Sequence, residues 1–98
     1  MATLYGNFSA KTVTETVVNV PANAWTALPT TAMTDRVLLE VYNKGENKLY
    51  LSFDSAATIK NRAAIGGGEF RIFPVQSNLT LYGRSQGGST RVIISEYR

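Results

Sequence analysis

The chain has 98 residues and a net charge of +3, and it contains neither cysteine nor histidine. A chain of this length forms one domain with a thin hydrophobic core. The missing cysteines exclude disulfides, thiolate metal ligands and thiol nucleophiles, and the missing histidines remove the commonest general base and metal ligand. Composition therefore argues against an enzyme, and we expect no catalytic residues, no metal site and no cofactor.

The excess positive charge lies in the second half of the chain and consists mostly of arginine. Arginine suits planar contacts with carboxylates, phosphates and aromatic rings. No two of these arginines are adjacent and no basic tract occurs, so we interpret them as dispersed surface charges and do not expect nucleic-acid binding. The chain also has no apolar run of the length of a signal peptide or a membrane span. We therefore expect a protein made and folded in a reducing cytosol, without membrane contact.

Short runs of β-branched and aromatic residues, separated by Gly, Asn, Pro and Ser, predict strands along the whole chain. In the first half these strands are Thr12–Val20, Ala24–Leu28, Arg36–Tyr42 and Lys48–Phe53. In the second half they are Thr58–Arg62 (weak), Glu69–Phe73, Asn78–Tyr82 and Thr90–Tyr97. About eight strands at this spacing are typical of a sandwich or small barrel. We predict an all-β antiparallel sandwich of jelly-roll-like topology over residues 12–98, preceded by an N-terminal arm at residues 1–11.

The alternation of apolar and polar residues assigns side chains to the faces of the strands. In Arg36–Tyr42 it places Val37, Leu39 and Val41 on one face, and in Thr90–Tyr97 it separates Val92 and Ile94 from Ile93. The predicted core consists of Val17, Trp25, Val37, Leu39, Val41, Leu49, Leu51, Phe53, Phe70, Ile72, Leu81, Val92 and Ile94.

The glycine clusters and the acidic residues carry no recognisable chemistry. Gly66–Gly68 is followed by a predicted strand and by Glu69, whereas a phosphate loop needs a helix N-terminus next to the anion. We therefore interpret it, and Gly87-Gly88, as turns in which glycine supplies a positive φ. Asn43–Asn47 is predicted to be a hairpin loop. The acids Asp35, Glu40, Asp54, Glu69 and Glu96 follow no metal-loop spacing and are expected on the surface.

Aromatic residues are the strongest indication of a binding surface. Tyr42, Tyr50, Tyr82, Tyr97 and Trp25 are amphipathic rings of the kind enriched at protein contacts. Such rings also stack on sugars or bases, and some of them complete a small core. The N-terminal arm adds Leu4, Tyr5 and Phe8, apolar side chains that a partner would bury.

The order of these segments resembles small all-β virion proteins of tailed bacteriophages, in particular capsid decoration (cement) proteins. The resemblance covers about residues 24–97, from the Trp25 segment to the closing strand. It consists of the strand Arg36–Tyr42, an Asn/Gly turn, Leu49-Tyr50-Leu51-Ser52-Phe53-Asp54, Gly68-Glu69-Phe70, Leu79-Thr80-Leu81-Tyr82-Gly83 and Val92-Ile93-Ile94-Ser95-Glu96. Tail and fibre proteins share this pattern, so the resemblance does not separate head from tail.

The resemblance implies a virion protein that forms a homo-oligomer, a trimer, and stabilises the head by docking on the major capsid protein. We expect the docking surface at Met1–Lys11 and at the loops Lys44–Asn47 and Ala57–Gly68, because contacts concentrate on loops. Candidate contact residues are Leu4, Tyr5, Phe8, Lys44, Asn47, Arg62, Tyr50 and Tyr82. The alternatives are a carbohydrate- or ligand-binding β module of a tail or fibre, and a nucleic-acid-binding barrel using Arg62, Arg71, Arg84 and Arg91.

Overall fold

A computed structural model describes residues 12–56 and 63–98 of the protein. These residues form eight antiparallel strands and no helix, so no helix that could cross a membrane occurs among them. The strands are β1 (Val13–Val20), β2 (Thr26–Ala27), β3 (Leu38–Asn43), β4 (Leu49–Ser52), β5 (Ala63–Ile65), β6 (Phe70–Phe73), β7 (Tyr82–Ser85) and β8 (Thr90–Tyr97).

The strands build two four-stranded sheets. The first sheet has the order β1-β8-β3-β6 and the second sheet the order β2-β7-β4-β5. The pairs β1·β8, β2·β7, β3·β6 and β4·β5 describe a chain folded once at its middle, so that the first half pairs with the second half in reverse order. Two further pairs join these four pairs into two sheets: β3·β8 connects the strands of the first sheet, and β4·β7 connects those of the second. This is the jelly-roll arrangement.

The predicted fold class is therefore confirmed, and most strands lie where the alternation placed them. The exceptions lie in the second half of the chain. The strand predicted at Asn78–Tyr82 begins only at Tyr82 and runs to Ser85. The strand β5 was not predicted, and the weak strand predicted at Thr58–Arg62 lies outside the described residues. Gly68 and Gly87 have φ values of 84° and 86°, so the predicted need for glycine at these turns is confirmed.

The core lies between the sheets and is smaller than predicted. Seven of the predicted core residues are buried, namely Leu39, Val41, Leu49, Leu51, Leu81, Val92 and Ile94. The prediction was wrong for Val17, Val37, Phe53 and Phe70, which are exposed, while Trp25 and Ile72 are half-buried. Val20, Leu28 and Ile65 complete the core instead. The wrong assignments fall on outward positions or next to strand ends, where a sandwich leaves apolar side chains uncovered.

The two ends of the sandwich differ in the length of their connections. The short-loop end consists of residues 21–25, 44–48, 66–69 and 86–89. The long-loop end consists of residues 28–37 and 74–81, together with residues 53–56, the described part of the β4–β5 connection. Successive connections alternate between the ends because neighbouring strands are antiparallel.

The short-loop end is held by the side chain of Asn43, which is fully buried. Its Nδ2 group donates to the carbonyl oxygens of Asn47 at 2.7 Å and Ile65 at 3.2 Å. Its Oδ1 accepts from the Thr90 hydroxyl at 2.8 Å and from the Gly45 amide at 3.2 Å. The prediction of a hairpin loop at Asn43–Asn47 was wrong, because Asn43 ends β3 and the connection that follows joins strands of different sheets.

The long-loop end is held by an ion pair between Arg36 and Glu96, with Nη1 and Oε2 2.9 Å apart. Both side chains are almost fully buried, at 1% and 2% relative exposure, so the expectation of a surface position was wrong for Glu96. The guanidinium also donates to the carbonyl oxygens of Val75, Gln76 and Leu79. One side chain thus binds three carbonyl groups of the β6–β7 connection.

Candidate docking surface

The outer face of the first sheet carries apolar and aromatic side chains that cross all four strands. Val17 of β1 lies opposite Ile93 of β8, Ile93 opposite Tyr42 of β3, and Tyr42 opposite Phe70 of β6. Residues directly opposite each other in a sheet share a face. Val17 and Phe70 are 50% and 57% exposed, and the other two are half-buried. We call these four side chains the apolar row.

Two carboxylates lie beside the apolar row, toward the long-loop end. Glu15, Ser95, Glu40 and Ile72 form the next row across the four strands. Beyond it, Tyr97 lies opposite both Val13 and Leu38, and its hydroxyl donates to Oε1 of Glu40 at 3.3 Å. Val13 is 59% exposed. The middle of this face is therefore apolar and acidic.

Positive charge lies at the short-loop end of the same face. Arg91 is opposite Asn19, and its carbonyl oxygen accepts a hydrogen bond from the Lys44 amide at 2.8 Å. Both cationic side chains are exposed, as predicted for Lys44. Asn47 is half-buried, and its Nδ2 group donates to the Ser89 carbonyl at 3.0 Å. Asn47 therefore contributes to the loop structure besides reaching the surface.

The outer face of the second sheet has a different character. Tyr50 lies opposite Arg84, and Tyr82 lies two residues from Arg84 on the same strand, so the three side chains share this face. The Tyr50 hydroxyl donates to Oε1 of Gln86 at 3.3 Å, and Nε of Arg84 donates to the Ala22 carbonyl at 3.0 Å. The predicted contact residues Tyr50 and Tyr82 therefore lie on the side of the molecule opposite the apolar row.

A small cleft opens where the edges of the two sheets meet. It has a volume of about 250 Å³ and is lined by Leu51, Ser52, Phe53, Ala63, Arg71, Phe73 and Leu81. The rings of Phe53 and Phe73 pack edge to face with centroids 5.8 Å apart. The cleft is smaller than the 300–1,000 Å³ or so that is usual for ligand sites, so it suits at most a small apolar group.

The charged residues do not converge on a site within the described part of the chain. Arg84 and Arg91 lie on opposite faces of the sandwich, and Arg71 lines the cleft between the sheet edges. This distribution lacks the shared basic face of a nucleic-acid-binding barrel. Among the described residues, no three acidic side chains come close enough to hold a metal ion.

Four predicted contact residues, Leu4, Tyr5, Phe8 and Arg62, lie outside the described residues, as does most of the loop before Gly66. Sequence reasoning missed the apolar row as a unit, since it assigned Val17 and Phe70 to the core. Two signals pointed to it: Tyr42 was among the candidate surface aromatics, and Ile93 alternates with the inward-facing Val92 and Ile94.

No protein-family model matches this chain, and no curated protein sequence matches it. Among solved structures, the chain is similar to the Tobacco streak virus coat protein. The two chains are 9% identical, the alignment covers 86% of each of them, and the TM-score is 0.27.

Proposed function

We propose that this chain is a structural protein of a tailed-bacteriophage particle, a decoration protein that homo-oligomerises and stabilises the head by binding the major capsid protein. The observation that carries the proposal is the apolar row, which spans the first sheet and leaves Val17 and Phe70, on its two edge strands, half or more exposed. Contiguous exposed apolar surface marks protein interaction sites in soluble proteins. The chemistry of this face is that of contact rather than catalysis.

The architecture supports a role in assembly. Jelly rolls form capsid and lectin domains among others, although the fold alone does not decide function. Buried polar side chains hold the loops at both ends of the sandwich by hydrogen bonds: Asn43 at one end and the Arg36–Glu96 pair at the other. A rigid unit of this kind loses little conformational entropy when it binds, and many copies on one lattice strengthen a weak individual contact.

Purified phage particles test the proposal. We expect mass spectrometry of particles from a strain that encodes this chain to detect it in many copies, and immunogold labelling to place it on the head. Labelling on the tail would contradict the decoration role, and absence from purified particles would contradict a virion role altogether. Deleting residues 2–9 is expected to weaken binding to shells that lack the protein without unfolding the sandwich.

A second candidate function is a carbohydrate- or ligand-binding module of a tail or fibre. It is favoured by Tyr50, Arg84 and Tyr82 on the outer face of the second sheet, because tyrosine rings beside a guanidinium can stack on planar or sugar rings. Screening the protein against an array of bacterial surface glycans tests it. Binding that is lost in Tyr82→Ala but kept in Phe70→Ala would support this function over the first.

A further inference from the structure

We propose that two copies of this chain form a two-fold symmetric dimer by stacking the outer faces of their first sheets. The inference deepens the proposed function, since it names the surface through which the chain binds itself, and it puts a dimer in place of the trimer that the resemblance implies. It rests on the apolar row and on the charged residues around it.

The apolar row has small and large side chains in an order that is complementary to itself. Val17 and Ile93 occupy one half, on β1 and β8, and the larger Tyr42 and Phe70 occupy the other half, on β3 and β6. A two-fold axis parallel to the strands, between β8 and β3, places Val17 over the partner's Phe70 and Ile93 over the partner's Tyr42. Small side chains then meet large ones across the interface, as close packing of two sheets requires.

The neighbouring row is compatible with the same axis. The rotation places Glu40 over the partner's Ser95, whose hydroxyl can donate to the carboxylate, and Glu15 over the partner's Ile72 at the rim. No carboxylate meets a carboxylate across this row. Glu40 also keeps the hydrogen bond that it accepts from Tyr97. A charge near a contact needs such partners, because its desolvation is otherwise costly.

One contact in this arrangement is unfavourable. At the short-loop end the same rotation brings Arg91 close to the partner's Lys44, so two pairs of like charges meet at the rim. Both side chains are long and exposed, which limits the repulsion in water and salt. Because of this contact, reversing the charge of Lys44 should replace repulsion by attraction and strengthen the dimer, which can be measured.

The size of the face sets the strength of the contact. β1 and β8 have eight residues each, β3 has six and β6 has four. At about 3.3 Å per residue and about 4.8 Å between strands, they give a face of roughly 400 Å² per copy, or about 800 Å² in total. That is the size of a weak, transient interface, so we expect a dissociation constant of roughly tens of micromolar. The alternative contact, between the outer face of the first sheet and the outer face of a neighbour's second sheet, does not give a closed dimer. These two faces point in opposite directions, so repeated contacts of this kind build an open filament.

Sedimentation velocity and light scattering on the full chain, from about 1 to about 200 µM, test the dimer. We expect a concentration-dependent dimer for the native chain and monomers for Val17→Lys and Phe70→Lys. Leu79→Lys is the matched control, since Leu79 is another exposed apolar residue, 42% exposed, at the long-loop end. It should dimerise as the native chain does. Circular dichroism and thermal melting verify that all variants fold.

Lys44→Glu tests the arrangement with a gain of affinity. We expect a dissociation constant about three- to tenfold lower than that of the native chain at low salt, since each glutamate faces the partner's Arg91. About 0.5 M NaCl should remove most of the gain. A Lys44→Glu variant that binds itself no more tightly than the native chain would contradict the two-fold arrangement.

Single cysteines test the register, which is possible because the native chain has none. Val17→Cys and Phe70→Cys, mixed in equal amounts, should be joined by a short bis-maleimide, whereas either variant alone should not. A native chain that is monomeric at every concentration, a trimer, or a dimer that survives Val17→Lys would overturn the inference. The two sets of results are distinguishable: a dimer absent from phage particles contradicts the role in the particle and leaves the dimer intact, whereas a monomer found in particles contradicts the dimer and the homo-oligomerisation but not the role in the particle.

Discussion

The short-loop end and the long-loop end both close the same two sheets, but different chemistry holds them. At the short-loop end, glycine lets the backbones of neighbouring loops approach, and a neutral amide, Asn43, satisfies the groups between them. At the long-loop end, the connections are about twice as long and are held by the buried ion pair Arg36–Glu96.

This difference follows from loop length. A connection of four or five residues can close through local turn geometry, so it needs little more than a residue that tolerates the required φ. A connection of eight to ten residues has carbonyl groups that no neighbouring strand satisfies, and a buried carbonyl without a partner is unfavourable. A five-donor guanidinium can satisfy several of them from one position. The cost is a buried charge that must be matched.

The largest effect is expected from Arg36→Met. The substitution removes the ion pair and leaves the Glu96 carboxylate buried, with the Met33 amide as the remaining donor shown for it. We expect a loss of about 3–5 kcal/mol in the free energy of unfolding, measured by urea denaturation. Arg98→Met is the control, because Arg98 is exposed and donates to the Thr34 carbonyl at the same end. The control should lose less than about 1 kcal/mol. Equal losses would show that burial of the pair is not what matters.

Asn43→Ala should have the next largest effect. It leaves the Thr90 hydroxyl and the Ile65 carbonyl without their partner, so we expect a loss of about 2–4 kcal/mol. Asn47→Ala is the matched control at the same end, since its side chain makes a single exposed hydrogen bond to Ser89. It should lose about 0.5–1 kcal/mol by the same measurement. If both variants unfold at the same urea concentration, the short-loop end does not depend on Asn43.

Gly45→Ala tests the close approach of the loops. A methyl group at this position would lie 2.9 Å from the Arg91 nitrogen and 3.1 Å from the Thr90 Cα, both backbone atoms that cannot move freely. We expect a loss of about 1–3 kcal/mol, as for other overpacked sites. A thermal melt of this variant beside Gly88→Ala, where the nearest atom is the flexible Asn47 Nδ2 at 3.2 Å, separates overpacking from a general effect of alanine.

The smallest effect is expected at Gly87, where space is open but φ is 86°. Gly87→Ala should destabilise the protein by about 1 kcal/mol, because an L side chain is unfavourable in this region. Gly87→Asn should cost less, since asparagine tolerates the left-handed conformation. Equal stability of the two variants in a chemical denaturation series would show that φ does not limit this turn.

Only two of the four residues of the apolar row could be assigned to the outer face from the sequence. Tyr42 and Ile93 could be assigned to the outer face, because Val41, Val92 and Ile94 alternate with them clearly. Val17 could not, since Val17 and Val18 are both apolar and either one fits the core. Phe70 lies at the beginning of a four-residue strand, which is too short to show an alternation.

The sequence alone determined the class of fold and most of its strands, because period-two alternation and turn residues act over neighbouring positions. It also determined where glycine was needed in the turns at Gly68 and Gly87. Only the tertiary structure decided which charged and polar residues are buried. Arg36 and Glu96 are 60 residues apart in the chain, and each is unfavourable in the interior without the other. The same holds for the apolar row, because its four members lie on four strands and become neighbours only when the sheet forms.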